Sequence, residues 1–240
     1  MSSKKKVVVY TSIINPKEPF GVLENYDTLK RPIFVEDSID YICFTNNKNM
    51  ISDVWDIRYY PEKFNCPTRS SREVKILPHR FLKDYDYSIF IDGSTQINLK
   101  INDFVLEKLK EYNFCIRKHD KRNCVYSEAK HLINIYNSNP KDTPENILNH
   151  IEKLKKQNFP YNYGLYPTGV LLRKHNNPDV IKCMEVWWEK YMSGSKRDQL
   201  SLPCAIFETS LAIKIMSESE HKKYFTHKKH RIKYGKIRKV

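Results

Sequence analysis

Short apolar runs alternate along the chain with polar stretches whose apolar residues recur at helical spacing. Residues 7–14 (VVVYTSII) read as a buried first strand that stops at Asn15-Pro16. Residues 41–44 form a second strand. Residues 54–60 form a third, with Trp55, Ile57 and Tyr59 on one side. A helix capped by Thr68 or Ser70 is predicted to run to about residue 82, bent or shortened by Pro78. Its Val74, Leu77 and Phe81 make an apolar stripe, and Arg72, Lys75 and His79 repeat that spacing on the opposite face as a row of cations.

The apolar run 87–91 (YSIFI) is predicted to be a central strand ending at Asp92-Gly93-Ser94. Beyond it the pattern gives a helix at 104–110, a strand at 114–116, polar helices at 125–137 and 143–157, and a strand at 168–173. Asn177 and Pro178 open a helix as cap and first residue, with Val180, Met184, Trp187 and Tyr191 as its core stripe. A last helix is predicted over 197–215, broken near Pro203. Strands alternating with helices indicate an α/β fold in which helices flank a mixed, mostly parallel sheet.

The chain has 240 residues, of which 40% are hydrophobic and 29% charged, as in an ordinary globular domain. No apolar run approaches the roughly 20 residues that cross a bilayer, and the segment behind the basic first six residues is too brief for a signal peptide. The expected location is therefore cytoplasmic, and the six cysteines, with no CxxC pair, are expected as reduced and mostly buried thiols.

The net charge of +14 changes the picture less than its size suggests. Residues 221–240 carry nine Lys or Arg and no acid, and removing those nine from 42 leaves 33 basic against 28 acidic residues, a net of +5. The reading is thus a domain over 1–220 followed by a basic tail over 221–240. Such a tail suits a solvated end, a polyanionic acceptor or peripheral contact with an anionic membrane. Nucleic acid is disfavoured, because the tail offers only Tyr224, Phe225 and Tyr234 as stacking platforms.

In open α/β sheets ligands bind at the carboxyl ends of strands, which makes Asp92 the first candidate for chemistry. Its carboxylate suits Mg²⁺ or Mn²⁺, and Gly93 lets a ligand approach the backbone; a turn Asp bonding backbone amides explains the same position. The row Arg72, Lys75 and His79 suits a diphosphate or a solvated helix face. The run His119-Asp120-Lys121-Arg122 suits a hydroxyl-rich or anionic substrate or a polar loop, and Arg197-Asp198-Gln199 suits a helix start. Trp187 is structural by its place in the core stripe. The chain holds no GxGxxG, GxxxxGK[ST], GxSxG or HExxH, so dinucleotide, P-loop, hydrolase-elbow and zincin readings lack support.

Taken in order, VVVYTSI, Tyr26-Asp27-x-Leu29, DYICFTNN, VWDIRYYP, PTRSSREVKILPHRFL, YDYSIFIDGSTQI, RKHDKRNCVYSEA, GLYPTGVLLRKHN and RDQLSLP resemble a family of glycosyltransferase-like proteins of bacteria, viruses and plants, whose plant members are linked to pectin and mucilage. The resemblance covers about residues 5–210. The family is similar to the GT-A superfamily, which binds nucleotide-diphosphate sugars on a Rossmann-like sheet and holds a divalent metal with an Asp-x-Asp motif. It implies a donor side of Thr11, Tyr26, Arg72, Lys75, Asp92, Gly93 and Ser94, and an acceptor side of His119, Asp120, Arg122, Tyr166 and Thr168.

Asp92 would be the first acid of the metal motif. Ser94 stands where the second acid is expected, so Mn²⁺ or Mg²⁺ would draw on Asp92, Ser94 and either a second carboxylate or a histidine of the C-terminal region, His227 or His230. Asp198 and Gln199 resemble the Asp-Gln pair of retaining enzymes; Asp198 would orient the acceptor or stabilise oxocarbenium charge, or act as general base in an inverting enzyme. The resemblance implies sugar transfer from a nucleotide-diphosphate donor to a glycan or other hydroxyl acceptor. The alternative is an inactive relative that binds a glycan or polyanion. A glycoside hydrolase is disfavoured, since no two carboxylates share a pairing context.

Overall fold

The computed structural model describes residues 7–15, 29–138 and 141–228. In chain order its strands are β1 (Val7–Ile13), β2 (Ile39–Thr45), β3 (Asp56–Tyr59), β4 (Tyr87–Ile91), β5 (Thr95–Ile97), β6 (Phe114–Arg117), β7 (Val170–Arg173), β8 (Lys214–Met216) and β9 (Phe225–His227). The helices are α1 (Pro67–Ile76), α2 (Pro78–Phe81), α3 (Asn102–Lys108), α4 (Val125–Asn134), α5 (Pro144–Lys156), α6 (Pro178–Met192), α7 (Asp198–Thr209) and α8 (Glu218–Tyr224).

Seven strands form one sheet in the order β3-β2-β1-β4-β7-β6-β8, and β5 pairs with β9 as a separate antiparallel ribbon. The expected mixed, mostly parallel α/β sheet is what forms: β1 is parallel to β2 and β4, β2 to β3, and β6 to β8, while β7 alone runs against its neighbours β4 and β6. That topology gathers the ends of β1, β4 and β6 and the start of β7 on one edge of the sheet.

Both sheet faces are covered, which is why the central strands read as continuous apolar runs. Val8, Tyr10, Phe44, Phe90 and Leu171 pack with Val74, Leu77, Met184, Trp187 and Leu202 from the helices α1, α6 and α7 and the link after α1. Val7, Val9, Tyr41, Ile89 and Leu172 pack with Phe104 and Val105 of α3 on the other face. A third cluster joins α4 and α5 to Leu200 and Cys204 of α7, so the two polar helices have a buried face of their own. All six cysteines are free thiols, and all but Cys66 are buried.

The expected break at Pro78 separates α1 from α2, and Asn177 caps α6 by accepting from the amides of Asp179 and Val180. Three expectations need correction. Cys66, not Thr68 or Ser70, is the cap of α1, because Pro67 takes the first helical position; the Ser70 hydroxyl donates to the Cys66 carbonyl instead. The cations of that helix do not form an exposed row: Lys75 is 1% exposed. Finally, α7 runs through Pro203 without breaking and ends at Ser210, whose φ of 53° is left-handed. Burial against α6 and α4 outweighs the missing N–H of Pro203. The chain beyond forms β8, α8 and β9, none of which the hydrophobic pattern announced, since elements this short carry little periodicity.

Among the described residues no helix is long and apolar enough to cross a membrane. Residues 221–228 of the basic tail lie in and just after α8 and β9. Residues 229–240, with most of the tail's cations and the expected membrane contact, lie outside the described residues.

Candidate functional site

Asp92 follows β4 directly. Its N–H donates to the Gly169 carbonyl at 2.9 Å, and its own carbonyl accepts from the Thr95 N–H at 2.8 Å, closing the Asp92-Gly93-Ser94 turn at the gathered edge. The fully buried face of α1 delivers Lys75 to this point. Its ammonium lies 3.7 Å from Asp92 Oδ1 and 2.6 Å from Asp198 Oδ2, and it also sits over the Phe90 ring. Arg72, one turn earlier, places Nε 2.9 Å from the same Asp198 oxygen.

Asp198 opens α7 and is 7% exposed, with Thr168 also hydrogen-bonded to its carboxylate. Burial alone would raise its pKa. Lys75 and Arg72 overcome that and hold it well below the ordinary carboxylate range. Burial pushes Lys75 down despite the two carboxylates. Arg72 ends above its usual value because Asp198 and Asp92 outweigh its burial.

The backbone under these groups is fixed from within the core. Trp187 Nε1 donates to the Asp198 carbonyl at 3.1 Å, which gives this core tryptophan its structural task. Tyr10 Oη donates to the Lys75 carbonyl at 3.0 Å, and Arg173 Nη2 donates to it at 2.9 Å and also bonds Tyr10 Oη. Arg173 is fully buried, and among the described residues no carboxylate pairs with it.

Two further cations lie within electrostatic range of the pair. Arg197 precedes Asp198, and Lys141 feels Arg72, Arg197, Asp92 and Asp198. Lys141 is held there through Asp142, whose buried carboxylate accepts from Ser195 Oγ at 2.6 Å and the Lys196 amide at 2.7 Å, just ahead of α7. Arg72, Lys75, Lys141 and Arg197 thus stand against Asp92 and Asp198. With Asp142 counted, four cations stand against three carboxylates, and the remaining positive charge favours an anionic group such as a diphosphate.

On the other side of Asp92 lies His227. A Cβ placed on Gly169 would stand 3.0 Å from Asp92 Oδ2 and 3.3 Å from His227 Cε1, so carboxylate and imidazole converge over that glycine. His227 Nδ1 is taken up by Thr95 Oγ1 at 2.9 Å, leaving Nε2 for a ligand. Among the described residues no three His, Cys, Asp or Glu side chains gather into a complete metal cage. Asp92 and His227 fit a Mn²⁺ or Mg²⁺ ion that takes its remaining ligands from phosphate oxygens and water.

The other expected positions divide. Arg72, Lys75, Asp92, Thr168 and Asp198 come together, with Gly93 and Ser94 in the turn. Gln199 follows Asp198, its buried Nε2 without a partner among the described residues. Thr11 is fully buried inside β1, and Tyr166 lies in the core. His119 Nδ1 accepts from the amides of Lys121 and Arg122 at 3.1 Å, and Arg122 pairs with Glu128, so this loop is largely occupied with itself, while Asp120 faces a cavity. Tyr26 and His230 lie outside the described residues. Lys141, in a polar loop, and Arg173, in an apolar strand, carried no signal that sequence reasoning could use.

No curated protein matches the chain. Among solved structures, mouse xyloside xylosyltransferase 1 in its apo form is 11% identical, with a TM-score of 0.47, over 89% of this chain and 85% of that one. The apo bifunctional glycosyltransferase WbbM is 10% identical, with a TM-score of 0.45; the match covers 90% of this chain and 39% of WbbM. The sequence model of the TOD1/MUCI70 glycosyltransferase-like domain matches residues 45–230, a span that takes in Arg72, Lys75, Asp92, Asp198 and His227. The chain belongs to the TOD1/MUCI70 glycosyltransferase-like family.

Proposed function

We propose that this protein transfers a sugar from a nucleotide-diphosphate donor to a hydroxyl of a glycan acceptor. The observation that carries the reading is the Asp198–Lys75–Asp92 chain, buried at Asp198 and Lys75, open at Asp92 and braced by Arg72, at the strand edge where such folds bind ligands. Arg72, Lys141 and Arg197 would hold the diphosphate, and Lys75 would keep Asp92 and Asp198 in register. Asp92 and His227 would hold the divalent ion, whose contribution when bound is to neutralise charge on the departing diphosphate.

Asp198 is a poor proton acceptor, because two cations hold it ionised far below neutral pH. That favours an electrostatic role facing positive charge developing on the sugar over the role of general base. Gln199, beside it, would orient the sugar through its amide.

A panel of nucleotide-sugars, with and without Mn²⁺, tests the reading by thermal shift and donor hydrolysis. One donor is expected to raise the melting temperature in a Mn²⁺-dependent way that Asp92→Ala removes. No response from the folded protein to any nucleotide-sugar would leave the non-catalytic glycan-binding alternative. Gly169→Ala should act like Asp92→Ala on that response, since the added methyl needs the space that Asp92 and His227 share. Its ligand-free melting temperature should stay close to wild type; an unaltered Mn²⁺ response in this variant would separate His227 from the site.

A further inference from the structure

Beyond β6, on the same edge, lies a cavity of about 280 Å³. Arg117 from the end of β6, Asp120 from the loop behind it, His221 and Glu218 from α8, and Phe225 and His227 from β9 line it. His221 is 5% exposed, stacked on the His227 ring at 5.5 Å and tilted against Phe225, and among the described residues its ring forms no hydrogen bond. Arg117 ends a strand whose preceding residues are fully buried, and its guanidinium has no ion-pair partner among the described residues. A largely buried imidazole and a half-buried guanidinium, both facing one cavity and neither committed to an ion pair among the described residues, present polar groups that a ligand can take up.

The lining narrows what that ligand is. Arg117 and Lys222 balance Asp120 and Glu218, so the cavity has no surplus charge with which to select an anion. Donors from Arg117, acceptors from Asp120, both from His221, and the apolar ring of Phe225 match an uncharged ring that carries hydroxyls around its edge and C–H groups on its faces. The volume lies just under the roughly 300–1,000 Å³ of ordinary ligand pockets, which suits one sugar ring rather than a longer chain. His227 lines the cavity and also converges on Gly169 with Asp92, so an occupant would lie beside the proposed reacting centre.

We propose that this cavity binds one neutral sugar residue of the acceptor, with Arg117, Asp120 and His221 as its hydrogen-bonding groups. The inference rests on the acceptor half of the proposed function, but its test needs no turnover. Neutral methyl pyranosides (glucoside, galactoside, mannoside, xyloside) and the methyl glycosides of glucuronic and galacturonic acid are titrated into the full chain by calorimetry and saturation-transfer NMR. At least one neutral glycoside is expected to bind saturably. Arg117→Gln and His221→Phe, which keeps the ring stack, are each expected to weaken it about tenfold or more, the loss that accompanies one hydrogen bond to a charged group or one orphaned buried polar group.

No binding by any neutral glycoside, unchanged affinity in both variants, or preference for the acidic glycosides would each overturn the proposal. The nucleotide-sugar thermal shift, measured on wild type and Arg117→Gln, keeps the two readings apart. Glycoside binding without any donor response sinks sugar transfer and leaves this site standing. A donor response without glycoside binding does the reverse.

Discussion

Replacing Asp198 with asparagine is expected to destabilise the protein by about 3–5 kcal/mol and to abolish sugar transfer. The size follows from what the carboxylate leaves behind. Its side chain is 9% exposed, and it neutralises Lys75, which is 1% exposed, and Arg72, which is 23% exposed. Removing one partner from a buried ion cluster costs far more than the cluster contributes as a whole, because the remaining charges cannot return to water. Asp92 lies 3.7 Å from Lys75 and is 38% exposed, so it offsets only part of the loss. For a chain of this length the fall in melting temperature is roughly 10 °C.

The pH dependence gives the prediction a sign. Asp198 has its folded pKa depressed, so its contribution is complete above the ordinary carboxylate value near 4 and is lost as pH falls toward the folded value. The gap between wild type and Asp198→Asn, followed by urea unfolding, should therefore be constant from pH 8 to about 5 and narrow below about 4. Adding Lys75→Met to Asp198→Asn should restore part of the stability and none of the activity. A single Asp198→Asn variant within about 1 kcal/mol of wild type would show that Lys75 and Arg72 do not depend on it.

This cluster also shows how far the sequence could be read. Asp92 was legible because a buried apolar run ending in Asp-Gly is a local pattern, and the rule that ligands sit at strand ends is general. Arg72 and Lys75 were legible as a pair on one helix face, but their surroundings were not. Periodicity shows that a helix has a second face without showing what covers it, and the cover here is Asp198, more than a hundred residues later. For the same reason Tyr166 could be named but not seen to be buried, since burial depends on elements packed across the sheet, whereas Thr11 is buried as the apolar run around it indicates. The ribbon of β5 and β9, which brings His227 to Asp92, is three residues deep, and its pairing is a long-range fact with almost no local trace.

Arg173→Ala is expected to be the other costly substitution, at about 3–5 kcal/mol, by leaving a large cavity and by stripping a bond from the Lys75 carbonyl. Arg173 is an arginine at the centre of the core with no carboxylate paired to it among the described residues, and burial lowers its pKa. Its charge is offset by position: the carbonyl it binds belongs to the last turn of α1, where the helix dipole is negative. Arg173→Met should recover most of the lost stability, because it refills the volume and removes a buried charge that only a helix dipole offsets. Arg173→Lys should not, since the shorter side chain stops short of the Nη2 position, the one nitrogen that bonds both Tyr10 Oη and the Lys75 carbonyl. Denaturant unfolding of the three variants checks this order. If Arg173→Lys matched wild type, Arg173 would be acting as a simple charge at a helix end; the predicted order would instead make it the strut that fixes the turn from which Lys75 reaches Asp198.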